Sequence, residues 1–335
     1  MRKKLLICIF TIAAFCTATL GQEGKVSLKF DARADYNYIQ RQNANDRAGF
    51  YGRNLNIMLD GEINSAFEYH VRQRLNVPIG EIGGLLDATD WAYLTYHIND
   101  NFSLSAGKQV VAIGGFEYDY APIDGYFLSD FCNNIPCYEV GVSLGFKDNS
   151  GKHSLQFQFA NSPFVKTPFD NMYSYNILWN GNFDAFKTLY SINMIEFRKG
   201  DFINYIALGN RFEVDRLSFE LDYTNRYHGN QDNFFEDFSI VAQMKYSICN
   251  SWNIFVKGGY DQNKAQIAGT PVHHRWDVCV LPGTKYTFGG AGFEFFPLKD
   301  KKDIRVHGYM ASSDAKPSEL IFNLGLTWKM QVLNK

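Results

Sequence analysis

Neither sign of charge dominates this chain. Its 33 Lys and Arg are set against 35 Asp and Glu, a formal charge of −2, and the two signs are mixed along its length without a basic or acidic tail. The electrostatic footprint of a nucleic-acid-binding protein is therefore missing, and no nucleic acid is expected as a partner. Cysteine is scarce, six in 335 residues, and no second pair of suitable spacing completes a cysteine zinc site. No linker, low-complexity stretch or convincing amphipathic helix of useful length is present, so a single domain is expected over residues 22–335. Disorder is excluded by a 46% hydrophobic content.

The one apolar run lies at the N-terminus. Arg2, Lys3 and Lys4 precede Leu5 to Phe15, and Thr19 and Gly21 supply the small residues of a cleavage site before Gln22. The run is too short for a membrane-spanning helix, which needs about 20 apolar residues, and reads as a signal peptide over residues 1–21. Cys16 raises lipidation, but Phe15 is a poor residue to precede a lipidated cysteine. Export leaves four cysteines. Cys132 and Cys137 are close enough to close a small disulfide loop in an oxidising compartment, while a Cys249–Cys279 pair has less behind it.

What the chain has in abundance is alternation. In Lys25 to Gln40, Val26, Leu28, Phe30, Ala32, Ala34, Tyr36 and Tyr38 share one face, and Lys29, Asp31, Arg33, Asp35 and Asn37 share the other. Side chains alternate across a strand, so this is a strand with one apolar and one charged face. The pattern recurs through Leu55–Ile63, Phe67–Val77, Val140–Phe159 (a hairpin turning at Asp148-Asn149-Ser150-Gly151), Leu217–Tyr223, Phe238–Ile248, Ile304–Met310 and Leu320–Met330. With less regular segments the total reaches about 16 strands, at the residue spacing of outer-membrane barrels. The fold class expected is an all-β, transmembrane, antiparallel up-and-down barrel. A soluble, secreted or surface β-sandwich binding glycan or protein would bury the same apolar parity, and is the alternative. Long strands, a densely charged polar face and aromatics near strand ends (Tyr36, Tyr38, Phe50, Tyr51, Tyr223, Tyr227, Trp252, Trp328) favour the barrel.

One stretch carries a motif that fails. Gly107-Lys108 followed by Gly114-Gly115 suggests a phosphate-cradling loop, but Phe102 stands where the first glycine belongs, Gln109 follows the lysine, and the next residues are strand-like. The bland reading is a strand ending in a glycine bend into a long loop at about 114–136. That order of strand, Gly-Lys-Gln, short β run and Gly-Gly-Phe-Glu resembles the phosphate-selective porin O/P family of Gram-negative outer membranes, most firmly from Arg72 to Phe159. The resemblance implies a 16-stranded barrel, a trimer, a loop folded into the lumen and basic residues along an anion path. The chain departs from the family in running from Trp328 on through Lys329 to Lys335 rather than stopping at a terminal aromatic.

If the apolar parity meets outer-membrane lipid, the opposite parity lines the lumen. The basic candidates there are Arg72 and Arg74, next to His70, with Arg33, Arg226 and Arg305; Arg suits phosphate because its planar fork bonds two oxygens at once. Asp31, Asp35, Asp60, Glu62, Glu68, Glu220 and Asp222 share the same wall. Lys108 follows Phe102, Leu104 and Ala106 on the lipid parity, so either a bulge at Gly107 turns it inward, the favoured reading, or it snorkels at the interface. Glu117, Asp119 and Asp124 are candidates for the rim of a constriction loop, with a calcium site or plain solvation as alternatives. Adjacent His273 and His274 with Asp277 point apart in an extended chain, so no metal and no cofactor is expected. No motif marks a nucleophile beside His153, His228 or His307, so no enzymatic activity is expected. The sequence thus predicts an outer-membrane porin for small hydrophilic or anionic solutes.

Overall fold

The computed structural model describes residues 24–77, 84–164, 170–228, 231, 233–264, 279–298, 301–314 and 318–335. The expected signal peptide and the His273-His274-Asp277 cluster lie outside the described residues. The strands are β1 (Val26–Arg41), β2 (Arg47–Asn64), β3 (Phe67–Arg74), β4 (Thr89–His97), β5 (Phe102–Val110), β6 (Tyr138–Lys147), β7 (His153–Asn161) and β8 (Tyr173–Phe183). They continue as β9 (Phe186–Arg198), β10 (Asp201–Val214), β11 (Leu217–His228), β12 (Phe238–Cys249), β13 (Trp252–Gln262), β14 (Lys285–Phe295), β15 (Ile304–Ser313) and β16 (Glu319–Asn334). Each pairs antiparallel with the next, and β1 pairs with β16, so the sheet closes into a barrel of 16 strands. Closure leaves no sheet edge and settles the choice between barrel and sandwich.

The two ends differ. At one end the connections are short, such as 65–66, 98–101, 184–185 and 215–216; at the other they include 75–88, 111–137 and 263–284. The start of β1 and the end of β16 lie at the short-turn end, where the amide N–H of Val26 donates to the Lys335 carbonyl at 2.9 Å. Short turns at one rim and longer loops at the other are the arrangement of outer-membrane barrels.

Burial shows which parity faces where. Leu94, Leu104, Val142, Ile192, Leu324, Leu326 and Trp328 are exposed on the outside, while Asp31, Arg33, Asp35, Arg72, Arg226 and His307 are buried inside. The inverted distribution is that of a protein whose outer solvent is hydrocarbon. Outward aromatic pairs such as Tyr36–Phe50, Phe67–Tyr96 and Trp252–Phe295 stand at strand ends, with ring centroids 4.8, 4.9 and 4.6 Å apart, where interface girdles belong.

The position of Lys108 corrects the favoured sequence reading. Pairing across β4, β5 and β6 runs without a shift through Gly107↔Tyr93 and Lys108↔Ala92, and Lys108 also faces Val140. No bulge intervenes, although Gly107 has a φ of 131°, so Lys108 stays on the outward parity. Its Nζ reaches the Leu86 carbonyl at 2.8 Å. A long apolar stem with its head bonded at the rim is how a lysine tolerates a lipid-facing position. Lys108 does not line the lumen.

Candidate functional site: a lumen narrowed by an inserted loop

The long connection between β5 and β6, residues 111–137, folds into the barrel. It carries two helical turns, α1 (Phe116–Asp119) and α2 (Asp130–Asn134). The entry bend depends on glycine in two ways. Gly115 adopts a φ of 98°, in the left-handed region where side chains are strained. A Cβ on Gly114 would lie 2.6 Å from the Leu189 carbonyl oxygen, and one on Gly209 would lie 2.8 Å from the Gly115 Cα. Backbone thus packs directly on backbone where the loop leaves the wall.

From there the loop is bonded to the opposite wall along its length. Asp222 of β11 accepts from the Phe116 and Glu117 amides at 2.9 and 2.6 Å. Glu117 is buried, pairs with Lys257 at 2.7 Å and accepts from the Ser129 amide at 3.1 Å. Asp261 of β13 accepts from the Asp130 amide at 2.9 Å. At the tip, Arg33 donates to the Gly125 and Ile123 carbonyls, Arg305 and Lys329 hold Asp124 at 2.9 and 2.8 Å, and the Tyr126 hydroxyl donates to Glu294 at 2.7 Å. Wall cations also sit over loop rings: Arg211 over Phe116 at 4.0 Å, Arg33 over Tyr126 at 5.1 Å and Arg226 over Phe131 at 5.8 Å. An apolar patch completes the contact, with Val111, Ile113, Phe131 and Ile135 packed on inward-facing Ile195, Ile203 and Tyr205 of β9 and β10.

The sequence candidates therefore divide into three groups. Arg33, Arg226 and Arg305 face inward, but the loop covers them and not water: Arg33 also pairs with Asp35 at 2.8 Å, and Arg226 donates to the Gln262 carbonyl at 2.6 Å. The expectation that they line an open path is corrected: loop carbonyls and Asp124 take donors of Arg33 and Arg305, and Arg226 donates to Ser239, Phe238 and Gln262 of the wall beneath the loop's Phe131 ring. Glu117 and Asp124 belong to the constriction loop but act as anchors, while Asp119 is exposed on its surface. The protein surrounding Asp119 raises its carboxyl above the ordinary range, with Arg211 pulling it back. His70, Arg72 and Arg74 stand on the wall that the loop leaves open.

That open side holds a cavity of about 1180 Å³ running from the turn at Asn99–Asn101 to the loop. Its wall includes Arg53, Arg72, Trp91, Tyr93 and Gln109, and faces the loop's Asp119, Tyr120 and Pro122. The wall of β4 to β7 carries a ladder of hydroxyls and amides: Thr95 with Ser105 at 2.8 Å, Ser143 to Gln109 at 2.7 Å and Gln156 to Ser143 at 3.1 Å. Arg72 lies over the Trp91 ring at 4.8 Å, and Arg72 and Arg74 share one carboxylate, Asp90, at 3.2 and 2.8 Å. Asp90 gets there because β4 has an extra residue opposite Arg72/Gln73. Arg53 donates to the Tyr51 hydroxyl at 3.4 Å and pairs with no carboxylate among the described residues. Sequence reasoning missed Arg53 and Asp90, since each lies at a register shift that simple alternation does not carry.

The four described cysteines are free thiols. The closed Cys132–Cys137 loop expected from spacing is not formed: the Cys132 thiol turns to the Glu117 carbonyl and the Cys137 thiol to the Ile135 carbonyl. Burial raises both, Cys137 to about 11. Among the described residues no group of three or more His, Cys, Asp or Glu is arranged to hold a metal ion.

Comparison with known proteins gives a consistent picture. The model of the family "Phosphate-selective porin O and P" matches residues 26–191. No curated protein matches the sequence. Among solved structures, an anion-selective porin from Comamonas acidovorans is similar, with a TM-score of 0.65 at 11% identity over 92% of this chain and 100% of that one. The outer membrane channel DcaP of Acinetobacter baumannii has a TM-score of 0.64 at 12% identity over 92% and 97%. OmpT of Vibrio cholerae, in a trimer form, has a TM-score of 0.60 at 11% identity over 92% and 99%.

Proposed function

Because this chain belongs to the phosphate-selective porin O and P family and is a channel-forming barrel of the outer membrane, we propose that it passes small hydrophilic solutes with a preference for anions. The observation that carries the preference is the charge of the open wall beside the loop. Arg53 and Arg72 line the cavity there, Arg72 nearly buried, and the half-exposed Arg74 stands beside them, sharing Asp90 with Arg72. Arg74 keeps 40% of its side chain exposed despite its ion pair. Cations on a narrow, low-dielectric wall concentrate anions and repel cations, and a guanidinium fork suits phosphate oxygens. Asp119 across the gap opposes this, so the preference is graded and not absolute. There is no reaction to explain; the residues sort solutes by width and charge.

We also infer a trimer, as the Vibrio cholerae porin is described. The outward faces of β1 and β2 support this, since Ala32, Ala34, Ala48 and Gly52 give a low surface beside Phe50, which is 88% exposed.

One recording tests both. In a planar bilayer across a KCl gradient, the reversal potential has the sign of an anion-preferring pore, and insertions arrive as three equal steps. Arg53→Ala with Arg74→Ala lowers the anion-to-cation permeability ratio about twofold or more. A cation-preferring wild type, or a ratio unmoved by the double substitution, overturns the preference; single steps overturn the trimer.

A further inference from the structure

At the short-turn mouth the lumen wall carries a second charge cluster, distinct from the arginines. His70 Nδ1 lies 3.0 Å from Asp60, and Glu68 lies between the two histidines, 3.7 Å from His70 Nε2 and 3.1 Å from His97 Nε2. Lys25 pairs with Glu62 at 3.0 Å and Lys29 approaches Asp60 at 3.9 Å. All of these project to the inside: Asp60 pairs with His70 across β2 and β3, and His97 lines the cavity. The side chains of His70, Asp60 and Glu68 are about one-third exposed, so water and ions reach them.

The register makes the cluster responsive. Glu62 and Glu68 stand directly opposite each other on adjacent strands, and like charges in that position repel. With neutral imidazoles, the two lysines meet three carboxylates and the cluster carries −1; with both imidazoles protonated it carries +1. The other charged or titratable groups around it do not change this. Arg72 is paired with Asp90, Tyr93 beside His70 stays neutral, and Asp100 in the next turn is offset by Lys147, which lines the same end of the cavity. On β5 the facing residues are Ser103 and Ser105.

We propose that His70 and His97, with Asp60, Glu62 and Glu68, form a selectivity determinant at the short-turn mouth that turns from anion-repelling to anion-accepting when the imidazoles gain protons. Histidine is the side chain whose charge changes between pH 5 and 8. Acidification therefore adds positive charge in series with the arginine wall, and anions pass more readily.

This rests on the channel reading, and one set of recordings separates the two. Reversal potentials are measured for wild type across a KCl gradient from about pH 8 to about pH 5.5, a window dominated by histidine. The anion-to-cation ratio is expected to rise about twofold or more on acidification. His70→Gln with His97→Gln removes that rise while the ratio near pH 8 stays at the wild-type value. Glu68→Gln raises the ratio near pH 8, which checks the site without touching a histidine. An unaltered pH response in the double variant overturns the proposal. Absence of any channels from folded wild-type protein instead overturns the channel reading itself.

Discussion

Single residues decide where this loop goes and which side chains meet water. Gly115 is one such residue, because its φ of 98° lies where a side chain is strained, although a Cβ there would meet only Asp222 at 3.6 Å. Gly115→Val would strain the backbone at the loop's base and crowd Asp222 of β11. Its α1 amides would then lose Asp222. Single-channel conductance should rise by about half or more, with larger open-state noise, while barrel folding by heat-dependent electrophoretic mobility is kept. Unchanged conductance would mean that the bend does not hold the loop in the lumen. The Gly-Gly bend was legible in the sequence, since β-branched residues run into it and a long connection follows. The placement of Lys108 was not: alternation put it outward, and only the observed register shows that Gly107 takes a positive φ without shifting the ladder.

At the scale of the element, the strands were legible and the loop's docking was not. Period two in Val26–Tyr38 and Leu320–Met330 marks β1 and β16 because one face of each meets lipid and the other meets charge. In β9 and β10 this contrast fades, since Ile195, Ile203 and Tyr205 face inward while Ile192, Met194 and Leu208 face outward. A strand apolar on both faces in an otherwise alternating barrel is the signal that something covers it from inside, here the 111–137 loop. The same loop explains why lumen arginines do not all serve solutes. Lys329 holds Asp124 and Arg305 divides itself between Asp124 and Glu294, so cutting this contact frees Lys329, leaves Arg305 on Glu294 and loosens the tip at once. Asp124→Ala should raise single-channel conductance about 1.5-fold and raise the anion-to-cation ratio with it. A gain in conductance without a gain in selectivity would place the freed Lys329 away from the path.

The whole molecule follows from having two solvents. Lipid outside and water with an inserted loop inside require that the apolar parity point outward on every strand, the reverse of a soluble protein. Closure through β1 and β16 then follows from the need to leave no backbone edge in hydrocarbon. This global arrangement was legible because both solvents mark the sequence with the same period. The lopsided lumen was not, since it depends on which wall the loop chooses. The two-solvent account makes a demand on neighbouring positions. Leu94 of β4 points to lipid and pairs with Ala106, whereas Ser105 of β5 points into the cavity beside Thr95. Arginine at the first position must be buried in hydrocarbon or drag water with it, at a cost of about 2–4 kcal/mol near mid-membrane. Arginine at the second stays hydrated. In urea titrations of folding into lipid bilayers, Leu94→Arg should lose stability of that order. Ser105→Arg should fold within about 1 kcal/mol of the parent and should shift the reversal potential toward anions. Equal losses at both positions would mean that the two faces do not meet different solvents, and the barrel's orientation of its parities would have to be reversed or abandoned.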